Sequence, residues 1–167
     1  MKTYLILIIL PITMFAQQHK ELPKSKVDYN AFADITEEVL AYRQPRLISL
    51  ETFLEFAKDS NTILLDTRSK SAYDKKHLKG ATHLNFSDFT EKKLVKLIPD
   101  KKTRILIYCN NNIDGDALNF PTKSLPLALN IPTFINLYGY GYKNVYELES
   151  LVPVKDKRLR FKGTAVK

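Results

Sequence analysis

The chain has 167 residues, of which 44% are hydrophobic, so it is long enough for one domain with a packed core and too apolar for a disordered protein. Its formal net charge is +8, and the lysines are spread along the chain with one dense basic segment near the end. Because no basic motif is interleaved with aromatic residues, we predict no nucleic-acid partner.

The first sixteen residues have the layout of a secretory signal, with Lys2, an apolar run over residues 4–15 and a small residue, Ala16. This run is well short of the roughly 20 residues that a membrane-spanning helix needs, so no stable membrane span is expected. We predict cleavage near Ala16 and export to the periplasm or the extracellular space. An uncleaved N-terminal anchor is the alternative.

Short apolar segments alternate with helical patterns in the remainder of the chain. Strands are predicted at residues 46–50, 62–66, 82–86, 104–109 and 133–138, with a further run at 141–148. Helices are predicted at residues 35–43, 51–60, 89–98 (capped by Ser87 or Asp88) and 124–130 (capped by Ser124). Several strands are continuous apolar runs, which predicts an α/β fold: a mainly parallel sheet of about five strands with helices on both faces.

Two strand ends carry chemically active residues, and in parallel sheets sites form beyond the carboxyl ends of the strands. The second strand ends at Asp66 with Arg68 close behind, and "RILIY" leads into Cys109, the only cysteine in the chain. A lone cysteine in an exported protein is a linker between molecules or a free thiol with a function.

Three segments, in this order, resemble the rhodanese-like domain family. "LLDTRSKSAYDKKHLKGATHLNF" is similar to the family's first signature, in which Asp66, Arg68 and His77 fall at the expected spacing. The strand that ends in Cys109 is the second landmark, and "GYKNVYEL" is the third. We therefore divide the chain into a signal peptide (1–16), a lead-in with a short helix (17–44), a rhodanese-like domain (45–152) and a basic tail (153–167).

The resemblance implies sulfur transfer, in which a cysteine thiolate takes sulfane sulfur from a small donor such as thiosulfate and passes it to a thiol acceptor. Cys109 is then the catalytic residue, and the loop after it is predicted to hold the anion. That loop comprises Asn110, Asn111, Asn112, Ile113, Asp114, Gly115 and Asp116. Asn and Gly accept the left-handed backbone angles of an anion-binding nest. Asp66, Arg68 and His77 are expected to support the site, mainly by holding the fold.

The loop departs from the family pattern in two respects. It contains no basic residue before Lys123, and its two carboxylates, Asp114 and Asp116, are expected to raise the pKa of a nearby thiol unless they point away. The stretch from Cys109 to Gly141 is also longer than usual, which predicts an insertion, "DALNFPTK", after the loop. Cys109 therefore has three interpretations: a persulfide carrier, a thiol in a binding or sensing module with a possible protein partner, and a buried structural residue.

Two further functions remain open at this point. Rhodanese-like phosphatases close the cysteine loop with an arginine, and here no arginine follows Cys109 before Arg158. Asn110, Asn112 and Asp114 also match the first half of a calcium loop, although Pro121 stands where that loop needs a glutamate. No pair of histidines has metal-ligand spacing, so neither a transition-metal site nor a cofactor is predicted. The tail is expected to be solvated.

Overall fold

The computed structural model describes residues 22–166, so the predicted signal peptide lies outside the described residues. The strands, in chain order, are β1 (Leu47–Ile48), β2 (Thr62–Asp66), β3 (His77–Leu78), β4 (Thr82–His83), β5 (Arg104–Tyr108), β6 (Ile113–Asp114), β7 (Val145–Leu148), β8 (Val152–Pro153) and β9 (Phe161–Lys162). The helices are α1 (Tyr29–Arg43), α2 (Leu50–Phe56), α3 (Lys70–Lys75), α4 (Glu91–Leu97) and α5 (Asn130–Gly139).

Five parallel strands form the central sheet in the order β1-β7-β5-β2-β4, which confirms the predicted fold class. Alternate residues of β5 supply two separate cores. Leu106 and Tyr108 pack with residues of α2 on one face, whereas Ile105 and Ile107 pack with residues of α1, α4 and α5 on the other. Since both faces are covered, the strands read as continuous apolar runs, as buried parallel strands do.

Four of the five helices begin at a polar side chain that accepts a hydrogen bond from a backbone N–H in the first turn. These capping residues are Asp28, Ser49, Ser69 and Thr90. Helix α5 differs, because Leu129 precedes it and no side chain caps it. The first N–H groups of α5 therefore need another acceptor.

One predicted strand is wrong: residues 133–138 lie inside α5. The strand that lies between β1 and β5 in the central sheet is β7. The buried residues of this helix are spaced for one helical face: Asn130, Thr133, Phe134 and Leu137, together with Ile135. The β-branched and aromatic residues of "TFINLY" favour a strand locally, but packing of that face against the sheet decides the structure.

Smaller boundaries also differ from the sequence prediction. Strand β4 ends at His83, and a 3₁₀ turn, Phe86–Asp88, follows it. Helix α4 is capped by Thr90, not by Ser87 or Asp88. The predicted helix at 124–130 is a 3₁₀ turn, Leu125–Leu127, without a side-chain cap from Ser124. Within residues 22–166, no helix combines the length and apolarity that crossing a bilayer requires.

The basic C-terminal segment is packed onto the domain, which corrects the expectation of a solvated tail. Strand β9 pairs antiparallel with β3, and Leu159 is buried. Gly163 has φ +136°, and a Cβ on it would lie 2.3 Å from the carbonyl oxygen of Lys75. The segment therefore follows α3 and β3 closely enough that only a glycine fits at this position.

Candidate active site

Cys109 directly follows β5, the middle strand of the sheet, at its carboxyl end. Only 1% of the residue is exposed to solvent. It lies in the wall of a cavity of about 240 Å³, here called the cysteine pocket. The residues that line this pocket include Arg43, Leu125, Ala128, Ile131, Glu147 and Glu149. The sheet thus places the thiol at the edge where parallel α/β folds form their sites, as the sequence predicts.

The side chain of Asn112 fixes the backbone around the cysteine. Its Oδ1 atom accepts hydrogen bonds from the backbone N–H of Cys109 (2.9 Å) and from Nδ2 of Asn130 (2.9 Å). Its Nδ2 atom donates to the carbonyl oxygens of Leu148 (2.8 Å) and Ser150 (3.3 Å). One buried amide therefore ties the ends of β5 and β7 to the start of α5.

A buried carboxylate and a guanidinium stand beside this amide. Asn130 Nδ2 also donates to Oε1 of Glu147 (3.1 Å), and Arg43 Nε donates to Oε2 of the same carboxylate (2.5 Å). Glu147 is buried, whereas the Arg43 side chain is 29% exposed. This bond raises the pKa of Arg43 above its ordinary value. The positive charge that the cysteine loop lacks is therefore supplied by α1.

Burial raises the pKa of the Cys109 thiol, because an apolar environment disfavours the thiolate. The backbone N–H groups of Asn111, Asn130 and Leu129 lower this pKa, while the charge of Glu147 raises it further. The uncapped start of α5 is thus one of the groups that act on Sγ, and a helix N-terminus favours a negative charge there. The net result is a pKa above the ordinary value.

The predicted anion-binding loop has a different backbone from the one expected. Asn110–Asn112 forms a 3₁₀ turn, and among residues 22–166 only glycines have positive φ. The asparagines therefore do not build a left-handed nest, although the backbone N–H of Asn111 lowers the pKa of Cys109. The calcium-loop alternative does not fit either, because both hydrogen bonds to Asn112 Oδ1 come from N–H groups of the protein.

The two loop carboxylates are directed to other partners. Asp114 is exposed, and its backbone pairs with Pro153. Asp116 accepts hydrogen bonds from Lys76 (2.9 Å) and Asn119. Burial alone would raise the pKa of Asp116, but these bonds hold that pKa below its ordinary value. The predicted insertion, residues 116–123, is held by this cluster and by buried Phe120.

Asp66, Arg68 and His77 do not line the cysteine pocket. Arg68 Nη2 donates to Asp66 Oδ2 (2.7 Å), and both side chains are buried. Tyr108 donates a hydrogen bond to the same carboxylate (2.6 Å). Nδ1 of His77 lies 2.6 Å from the carbonyl oxygen of Tyr73, and the two rings stack. These three residues hold the fold, and no step of a reaction at Cys109 is assigned to them.

The sequence does not predict the parts that Arg43, Asn130 and Glu147 have at the pocket. Arg43 lies 66 residues before Cys109 in a segment described as a lead-in, and Asn130 was placed at the end of a helix instead of at the start of one. Glu147 lay inside a recognised motif, "GYKNVYEL". A carboxylate among the apolar residues of a strand is the signal that could have identified Glu147, because burying a carboxylate without a partner costs free energy.

The pH dependence of thiol modification tests this electrostatic description. Because the pKa of Cys109 is raised, the rate of alkylation by iodoacetamide should still be increasing above pH of about 8.5, where an ordinary cysteine thiol is half ionised. The measurement is the pseudo-first-order rate by intact mass from pH 6 to about 10.5, compared with a small free thiol. A plateau already reached near neutral pH would contradict the raised pKa.

Among residues 22–166, no group of three His, Cys, Asp or Glu side chains is arranged to hold a metal ion.

Comparison with known proteins identifies a family and supports the fold. The model of the rhodanese-like domain family matches residues 49–150. No curated protein matches the chain in sequence.

Two solved structures are similar to the chain. The crystal structure of the BH2092 protein from Bacillus halodurans aligns with a TM-score of 0.54 and 14% identity, covering 80% of this chain and 88% of that one. A structure described as rhodanese with anions from E. coli aligns with a TM-score of 0.40 and 18% identity, covering 61% of this chain and 98% of that one. At 14% identity, the similarity to the BH2092 protein supports the fold alone.

Proposed function

The chain belongs to the rhodanese-like domain family, and from that we propose a sulfurtransferase-type function in which Cys109 carries sulfane sulfur as a persulfide. One observation supports this above all. Cys109 directly follows the middle strand, and the backbone N–H groups of Asn111, Leu129 and Asn130 lower the pKa of its thiol. This arrangement favours negative charge on the Sγ atom, both as an attacking thiolate and as a persulfide anion.

The proposed reaction has two steps. The Cys109 thiolate attacks the sulfane sulfur of a small donor such as thiosulfate, a new S–S bond forms, and the donor's S–S bond breaks to release sulfite with its electron pair. A thiol acceptor in its thiolate form then attacks the outer sulfur of the persulfide, and Cys109 leaves as a thiolate. We also propose that the mature protein acts after export, which rests on the composition of residues 1–16.

Incubation with a sulfane-sulfur donor should add the mass of one sulfur atom to the protein, and Cys109→Ser should abolish this gain. The measurement is intact mass after separate incubations with thiosulfate and with cysteamine persulfide, because the two donors differ in charge. Treatment with a reducing thiol should remove the added sulfur. If the Cys109→Ser protein gains sulfur as fast as the unchanged protein, the proposed carrier is wrong.

A second function, a rhodanese-fold binding or sensing module without turnover, is favoured by the burial of the thiol. Cys109 is only 1% exposed, and its pKa is raised by that burial. Such a module would leave Cys109 unmodified by either donor and inert to iodoacetamide at neutral pH. A binding partner retained by Cys109→Ser would support this alternative over sulfur transfer.

A further inference from the structure

We propose that the cysteine pocket selects sulfane-sulfur donors without net negative charge, such as neutral or amine-bearing organic persulfides, and that Glu149 and Glu147 set this preference. The inference rests on the proposed function and names its donor class. The proposed preference favours an organic persulfide over thiosulfate, because thiosulfate carries two negative charges close to the sulfur that is transferred.

The charges around the pocket favour this selection. Two carboxylates, Glu147 and Glu149, line it with one guanidinium, that of Arg43. Arg43 is already bound to Glu147 through Nε, and the charges of both carboxylates raise its pKa. Glu149 is exposed, so its charge faces any molecule that approaches the pocket. The balance of charge is negative, which repels dianions and attracts ammonium groups.

Apolar side chains also line the pocket. Leu125, Ala128 and Ile131 lie on the side of α5 and the 3₁₀ turn before it, and Leu47 and Leu148 lie on the side of the sheet. Leu125 is 78% exposed and Ile131 is 38% exposed, so apolar surface extends outward from the thiol. The carbon chain of an organic persulfide would cover this surface, whereas the oxygens of thiosulfate would have to leave water for it.

Several of the polar groups nearest the sulfur already have partners. The backbone N–H groups of Asn111, Leu129 and Asn130 act on the Cys109 thiol, and the Asn130 side chain is bound to Asn112 and Glu147. They stabilise charge on Cys109 and on the sulfur transferred to it. A second anionic group on the donor would lie near the carboxylates and leucines that line the pocket, where its charge is disfavoured.

The transfer from an organic persulfide balances without another reactant. The Cys109 thiolate attacks the outer sulfur of R–S–SH, and an S–S bond forms at Sγ while the donor's S–S bond breaks. R–S⁻ leaves with the electron pair, and the proton stays on the transferred sulfur. The Cys109 sulfur is oxidised and the donor's inner sulfur is reduced, so no external oxidant is needed.

The test uses three persulfides that differ only at the end of the molecule, together with thiosulfate. The persulfides are those of cysteamine (ammonium), 2-mercaptoethanol (hydroxyl) and 3-mercaptopropionate (carboxylate). Sulfur loading of Cys109 is followed by intact mass on the full mature chain. Each rate is divided by the rate of the same donor with a small free thiol, which removes differences in intrinsic reactivity.

Normalised loading should be fastest with the cysteamine persulfide, slower with the hydroxyl compound and slowest with the carboxylate compound and thiosulfate. Each unit of donor charge should change the rate roughly threefold at low salt, and added salt should reduce the differences. Glu149→Gln should speed loading by the carboxylate persulfide and thiosulfate. Glu55→Gln, which removes an equal charge from an exposed position on α2 outside the pocket, should not.

The outcomes distinguish the inference from the function on which it rests. Equal normalised loading by all four donors, or equal effects of Glu149→Gln and Glu55→Gln, overturns the charge selection while sulfur transfer stands. If none of the four donors loads Cys109, the proposed function fails, and the donor preference fails with it.

Discussion

Arg68→Met should lower the free energy of unfolding by about 3–5 kcal/mol, the usual cost of removing one partner from a buried ion pair. Arg68 and Asp66 have side-chain exposures of 2% and 0%. The guanidinium also donates to the carbonyl oxygens of Asn119 (3.0 Å) and Lys76 (2.7 Å). Without it, the Asp66 carboxylate stays buried with only Tyr108 and one backbone N–H as partners.

Urea unfolding followed by circular dichroism measures this loss, and the chain offers a matched control. Lys58 forms an ion pair with Glu55, but both side chains are exposed, at 73% and 69%. Lys58→Met should therefore cost less than about 1 kcal/mol. If Arg68→Met were no more destabilising than Lys58→Met, the structural role given to the buried pair would be wrong.

Glu147→Gln should increase the alkylation rate of Cys109 at pH 7 by about three- to tenfold. The negative charge of Glu147 is one of the causes that raise the pKa of the thiol, so its removal shifts the pKa downward and increases the thiolate fraction. Gln keeps an oxygen that can accept from Asn130. The measurement is the rate with iodoacetamide across the pH range, from which the pKa of Cys109 follows.

Arg43→Gln provides the opposite change at the same ion pair. Removing the guanidinium leaves the Glu147 charge uncompensated, so the pKa of Cys109 should rise and the rate at pH 7 should fall. Rates of both variants should approach the unchanged protein's rate at high pH, where the thiol is fully ionised. A shift of both variants in the same direction would show that altered access to the buried thiol, not charge, controls its reactivity.

The order of strands and helices could be predicted from sequence wherever a local pattern and the tertiary environment agree. "TILLD" and "RILIY" are mainly apolar because both faces of the sheet are covered; β2 has the predicted bounds, and β5 ends one residue earlier than predicted, at Tyr108. "TFINLY" fails because its local preference is for a strand, while its buried face has helical spacing. That face is recognisable only once its packing partners are known.

The site could be located from the sequence, but its electrostatics could not. Cys109 is found from a strand end and a motif, both of which are local. The pair of Arg43 and Glu147 joins residues 104 positions apart, and no spacing in the sequence indicates it. The sequence instead predicts that the acidic residues near Cys109 in the chain raise its pKa, but the Asp116 carboxylate is bound to Lys76. Charges act through space, so sequence neighbours are a poor guide to the pKa of a thiol.

The guanidinium at the cysteine pocket belongs to α1, which precedes the stretch that matches the family model. Helix α1 packs on α5 and buries only Val39, so most of its surface is free to vary. Substitutions there could adjust the reactivity of the Cys109 thiol without disturbing the strands or the Asn112 amide that position it. The reactivity of the thiol and the integrity of the core are thus encoded in separate parts of the chain, and each can change during evolution or engineering with little cost to the other.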